Sequence, residues 1–265
     1  MIVALVDNGS LEPAAHRTLR GVATALSTRT GINVHPVSWK HSDRIREPEP
    51  GQVHAWTMAP FLRAMVALGQ REFVFIPYFI SPQGAIGSAL FRDLEKLQRE
   101  LGDFDFTFTD GLAARGVLPA IVADRVRSCI KANELITPPL IVVDHGGPSA
   151  ESAALRDTLG AQIGGVLKDE TARVAVTSME GEHPPLLSDA LRDEAFARGD
   201  VVVAPLFLSP GRHAGPNGDL ARICRAAAAP RTHLTDLVGT HPLVVDSFAD
   251  ALRTTLSTLH AHSFA

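Results

Sequence analysis

Residues 201–219 read "VVVAPLFLSPGRHAGPNGD". The opening Val-Val-Val-Ala is apolar throughout. That suits a parallel strand covered on both faces rather than a half-exposed strand with alternating polarity. Ser209-Pro210 stops the run, the following glycines predict a loop around His213, and Gly218-Asp219 opens a helix. The same order recurs along the chain. Candidate strands at 2–6, 32–37, 73–77, 104–108, 140–143, 172–176, 201–204 and 233–234 alternate with helical patterns. Those patterns lie at 14–27, 55–68, 86–101, 119–133, 149–163, 186–198, 219–228 and 244–260. Strand–helix alternation of this kind predicts βαβ units and an α/β fold with parallel sheets.

The eight strands fall into two sets of four, and the motifs between them repeat. "LVDNGSLEPAAHRTLRGVATAL" (5–26) lies beside "VVDHGGPSAESAALRDTLGAQI" (142–163). "VHPVSWKHSDRI" (34–45) matches "VAVTSMEGEHPP" (174–185), with Ser38 on Ser178 and Lys40 on Glu180. "FIPYFISPQGA" (75–85) matches "VAPLFLSPGRH" (203–213), with Ala85 on His213. "TDGLAARGVLPAIVADRVR" (109–127) matches "TDLVGTHPLVVDSFADALR" (235–253). The Pro/Glu-rich stretch "REPEPGQ" (46–52) makes the first half longer. Four motifs in one order indicate an internal duplication. The seam is expected at Pro138-Pro139, giving lobes at 1–136 and 137–265, each a four-stranded, mostly parallel sheet flanked by helices.

The 265 residues are 45% hydrophobic and 20% charged, with a net charge of −4. There is no global basic field for nucleic acid or an anionic membrane. No apolar run is long enough to span a bilayer, and "MIVALVDNGS" lacks the basic start of a secretory signal, so a cytoplasmic location is expected. Cys129 and Cys224 are far apart, with no CxxC, and read as small core residues.

Ligands of open α/β sheets bind beyond the carboxyl ends of the strands. His145, Glu180 and His213 each follow a strand of the second lobe, so one cleft can collect all three. Two histidines and a carboxylate are a common ligand set for first-row metals, and imidazole transfers protons near neutral pH. The first lobe carries Asn8, Lys40 and Ala85 at the matching positions. Its frame persists without the three residues, which marks them as chemistry rather than architecture. Other readings stay open at this level: loop-anchoring histidines, a solvated Glu180, or glycine loops that bind phosphate. "HGG" also matches some esterase oxyanion loops, but G-x-S-x-G, a Walker pattern and G-x-G-x-x-G are all missing.

Together "DHGG", "SMEGEHPPL", "PLFLSPGRHAGPNGDL" and "TDLVGTHPLVVDSF" resemble the class II tetrapyrrole chelatases, the sirohydrochlorin cobalto- and ferrochelatases of the CbiX/SirB type. The resemblance covers the whole chain as two chelatase-like, Rossmann-like lobes and is strongest in the second. It implies ATP-independent insertion of a divalent metal, Co(II) or Fe(II), into sirohydrochlorin or a related ring. Co, Fe or Ni is then a substrate, and no further cofactor is expected. On this resemblance His145, His213 and Glu180 are the metal and catalytic residues. Gly146, Gly147, Arg212 and Lys40 are expected to meet substrate carboxylates, with Arg222 and Arg225 nearby. The partners implied are an anionic tetrapyrrole and a divalent metal, with no nucleic acid or membrane, in a monomer or homodimer. The first lobe is read as catalytically silent. A non-catalytic metal or tetrapyrrole carrier is the alternative, and a metal-dependent hydrolase a weaker one.

Overall fold

The computed structural model of the chain describes residues 1–45, 55–80, 85–102, 104–147, 149–227 and 230–262. The stretch "REPEPGQ" and the first-lobe Ser81-Pro82 lie outside the described residues.

Two compact units form, Met1–Arg115 with Pro242–Ala265, and Gly116–His241. In the first, the order is β1 (Ile2–Asp7), α1 (Pro13–Thr30), β2 (Val34–Ser38), β3 (Trp56–Thr57), α2 (Met58–Ala67), β4 (Glu72–Pro77), α3 (Ala85–Leu101) and β5 (Asp105–Phe108). The second holds α4 (Leu118–Ala132), β6 (Leu140–Asp144), α5 (Ala150–Val166), β7 (Val174–Ser178), α6 (Leu187–Ala190), β8 (Asp200–Pro205), α7 (Asp219–Ala226) and β9 (Arg231–Leu234). The last helix, α8 (Pro242–His262), completes the first unit. The sheets run β3-β2-β1-β4-β5 and β7-β6-β8-β9, and every pairing among the described strands is parallel.

Each sheet is covered on both faces, as the unbroken apolar runs require. Val3, Ala4, Leu5 and Val6 of β1 are all buried, as are Leu140 to Val143 of β6. One face of the first sheet packs an aromatic core of Phe61, Phe73, Phe75 and Phe104. Its counterpart in the second unit is largely aliphatic, with Ile141, Val143, Leu187, Val201, Val203 and Leu220. Helix boundaries follow local chemistry. Pro13 starts α1, where its missing N–H costs nothing, and Gly31 ends it in the left-handed region, donating to the Ser27 carbonyl at 2.9 Å.

The motif repeat reappears as repeated hydrogen bonds. Trp39 N–H donates to the Asp7 carbonyl (2.7 Å) and Met179 N–H to the Asp144 carbonyl (2.8 Å). Lys40 N–H donates to the Asn8 carbonyl and Glu180 N–H to the His145 carbonyl, both at 3.2 Å. Gly9 (φ 85°) and Gly146 (φ 81°) are left-handed in the same turn. A Cβ at either would lie 1.7 Å from the carbonyl oxygen of Lys40 or Glu180, so both positions demand glycine. Asn8/His145 and Lys40/Glu180 are therefore structural equivalents. Ala85/His213 is not such a pair: α3 starts at Ala85 itself, whereas α7 starts at Asp219, after the loop that carries His213.

Other expectations change. The first sheet has five strands rather than four, because β3 adds a two-residue edge beside β2, too short to show a period. Its counterpart in the second unit is a single parallel bridge, Ser178 to Leu186. The helix expected at 186–198 contracts to α6, Leu187–Ala190. Beyond it, the Asp193 carboxylate accepts the Ala195 N–H at 2.8 Å, a local bond that competes with helix continuation. The compact units also do not divide at residue 136. In chain order α4 ends the first repeat and α8 the second, yet each completes the unit built on the other repeat's sheet.

The two repeats differ beneath their loops. Burial raises the Asp7 carboxyl from 3.8 to about 6, and its Oδ1 has no hydrogen-bond partner. A carboxyl that holds its proton more tightly when folded stabilises the fold most below the unfolded value. That contribution is lost as pH rises from about 4 to 6, and the loss, complete by pH 8, amounts to about 3 kcal/mol. Asp7→Asn is thus expected to raise the melting temperature at pH 8 and leave it unchanged at pH 4. Thermal melts across this range check the result, and an equal shift at both pH values would contradict it.

Candidate functional site

Because the strands of the second sheet are parallel, the loops after β6, β7 and β8 emerge at one edge. They bring together the three residues expected from the sequence. His145 follows β6 directly, Glu180 stands just beyond β7, and His213 lies in the loop between β8 and α7. His145 Nε2 is 3.3 Å from His213 Nε2 and 3.4 Å from Glu180 Oε1. The two rings stand edge to face, at 84° and with centroids 4.6 Å apart. The side chains are 48% (His145), 58% (Glu180) and 30% (His213) exposed, so the site stays open to a large ligand.

The second nitrogen of each ring is tied to an acceptor. His145 Nδ1 donates to the Gly146 carbonyl at 2.6 Å, and His213 Nδ1 to Asp219 Oδ2 at 2.7 Å. A carbonyl and a carboxylate can only accept, so each Nδ1 carries the hydrogen and each neutral ring turns its Nε2 lone pair inward. Two lone pairs and a carboxylate oxygen then face one another with no donor between them. In that form the arrangement suits a cation in their midst. Two nitrogens each about 2.0–2.1 Å from a tetrahedral divalent ion stand roughly 3.3 Å apart, which matches the imidazole pair. Among the described residues, no group of three or more His, Cys, Asp or Glu side chains is arranged as a ready metal cage. Contact runs instead as a chain, Glu180–His145–His213–Asp219, with His145 touching both of its neighbours.

Asp219 is the residue that sequence reasoning passed over. It occupies the first turn of α7, where a carboxylate favours the helix N-terminus. It also bonds Arg222, and chiefly that bond, reinforced by the one from His213, holds its carboxyl below the usual aspartate range. The carboxylate therefore stays ionised at neutral pH and fixes the His213 tautomer. Its signal was present in "HAGPNGDL" as the acid that opens the helix after the histidine loop.

The expected substrate contacts fare unevenly. Arg212 is exposed, its Nε 3.9 Å from Asp219 Oδ2, and can reach a ligand. Gly146 spends its N–H on the Asp144 carboxylate, whereas Gly147 borders open space. Arg222 is engaged by Asp219, and Arg225 donates to the Pro216 carbonyl at 3.3 Å. Lys40 belongs to the first unit. There its ammonium lies 3.0 Å from Asp93 and over the Trp39 ring, beside a cavity of about 420 Å³. No helix among the described residues is long and apolar enough to cross a membrane.

These features define the class of fold: it is that of the CbiX/SirB-type class II chelatases. Residues 139–255, from β6 into α8, match the CbiX family model. SirB from Bacillus subtilis with Fe3+ shares the fold over 98% of both chains at 13% identity, with a TM-score of 0.69. CbiX, the terminal enzyme for biosynthesis of siroheme in denitrifying bacteria, aligns over 96% of this chain and 99% of its own, at 17% identity and TM-score 0.66. SirB from Bacillus subtilis subspecies spizizenii in complex with cobalt aligns over 96% and 95%, at 13% identity and TM-score 0.67. No curated protein matches the sequence.

Proposed function

We propose that the chain inserts a divalent metal ion, Co(II) or Fe(II), into sirohydrochlorin or a closely related anionic tetrapyrrole, without ATP. The observation that carries this reading is the imidazole pair, with both Nε2 atoms inward, 3.3 Å apart, at an open site. Insertion removes two pyrrole N–H protons while the metal sheds water. Neutral imidazoles suit both tasks, since each can ligate a cation or accept a proton. Glu180 offsets metal charge beside His145. Arg212 and the Gly147 N–H offer contacts for the carboxylates of the ring. The names of the structural relatives point the same way: SirB carries iron or cobalt, and CbiX ends siroheme biosynthesis.

Mixing the protein with metal-free sirohydrochlorin and Co(II) or Fe(II), and following the absorption spectrum, tests the proposal. Many rings metallated per chain, with no nucleotide present, are expected. Conversion that stops near one ring per chain would make the protein a carrier, and a rate equal to that of the free metal would remove the activity altogether.

A further inference from the structure

Arg156 stands in the middle of α5 and is only 3% exposed. A guanidinium stays charged at any physiological pH, so its burial requires partners. Its Nη1 donates to Ser178 Oγ at 2.5 Å and to the His183 carbonyl at 3.0 Å. Its Nη2 donates to the Pro184 carbonyl at 3.4 Å, and its Nε to Asp157 Oδ1 at 2.8 Å. Ser178 Oγ in turn donates to Asp144 Oδ1 at 2.7 Å. Ser178 and His183 bracket Glu180 in the chain, and Asp144 immediately precedes His145. One buried fork therefore ties both ends of the Glu180 loop and reaches, through Ser178, the carboxylate beneath His145.

The first repeat shows what the architecture needs without this cation. The residue aligned with Arg156 is Leu19, which is fully buried. There Asp7 bonds the Ser38 hydroxyl and the Gly9 N–H, and its Oδ1 lacks a partner. The loop still forms, with the same Gly9 turn and the same backbone bonds. The fold does not demand the arginine. It accompanies the repeat that carries His145 and Glu180.

We propose that Arg156 is a positioning residue, which fixes the Glu180 loop against His145 and so sets what the Glu180 carboxylate contributes to a cation at the imidazole pair. The proposal rests on the metal-handling reading above. Its test uses Co(II) alone as the probe, in a double-mutant cycle on the full chain. Glu180→Ala and Arg156→Leu are each expected to weaken Co(II) binding about tenfold. The double variant should be no weaker than Glu180→Ala, because Arg156 acts through that carboxylate. A merely structural arginine would give additive losses, and additivity overturns the proposal. Arg156→Leu installs the residue that the first repeat already tolerates, so its melting curve should stay cooperative. Should it fail to fold, Arg156→Lys, which keeps the charge but not the fork, runs the same cycle under the same criterion. A wild-type protein that binds no Co(II) overturns both this proposal and the proposed function. Additivity in a wild type that does bind overturns this one alone.

Discussion

His145→Ala and His213→Ala each lower the rate of enzyme-dependent metal insertion by about 10²–10⁴-fold, the range typical for loss of a positioned acid–base group. The two should not add, because removing either ring leaves a single lone pair where the structure has two at 3.3 Å. Asp219→Ala leaves both rings in place but frees His213 Nδ1 from its 2.7 Å partner, so the ring can turn and change tautomer. A smaller loss of about 10–100-fold is expected. Asn8→Ala, at the equivalent turn of the first repeat, is expected to be silent. Initial rates from the metallation spectrum, with melting curves as the folding control, decide the matter. Activity lost on Asn8→Ala but kept on His213→Ala would put the site in the wrong repeat.

The triad was legible because it required only strand ends and an internal comparison. His145 and Glu180 directly follow apolar runs, and "VDNG" against "VDHG" fixes the register through a glycine whose turn admits nothing else. The turn geometry confirms those two equivalences. His213 against Ala85 failed because α3 already begins at Ala85, whereas His213 stands in the loop before α7. Asp219 and Arg156 were harder for a physical reason. An acid at a helix start has an ordinary local explanation, and an arginine in a helix is usually solvated. In the sequence, the one pointer to a core site for Arg156 was the apolar Leu19 at the aligned position. The two-residue strand β3 and the shortened α6 were hidden because neither is long enough for a period to emerge.

The largest structural consequence lies in the two helices that end the repeats. A fragment cut at the sequence seam, residues 137–265, keeps the CbiX motifs yet is not expected to fold cooperatively. It loses α4, whose Leu118, Ile121, Val122 and Val126 are buried in the unit where that helix packs on α5 and β8. Exposing their partners costs about 1.5–3 kcal/mol per side chain. Four such side chains come to roughly 6–12 kcal/mol, as much as the whole stability of a typical domain. The same fragment leaves α8 without the first unit, where it packs along α1, and where Phe248 meets Tyr78 at 6.2 Å and Asp246 pairs with Arg29 at 3.0 Å. A fragment of residues 116–241 follows the compact unit instead. It retains α4 and the aliphatic core, and is expected to melt in one cooperative transition. Near-ultraviolet circular dichroism of both fragments against temperature reads the difference. A cooperative melt from 137–265 at the temperature of 116–241 would show that α4 adds nothing to the second unit, and that the repeats fold as the sequence divides them.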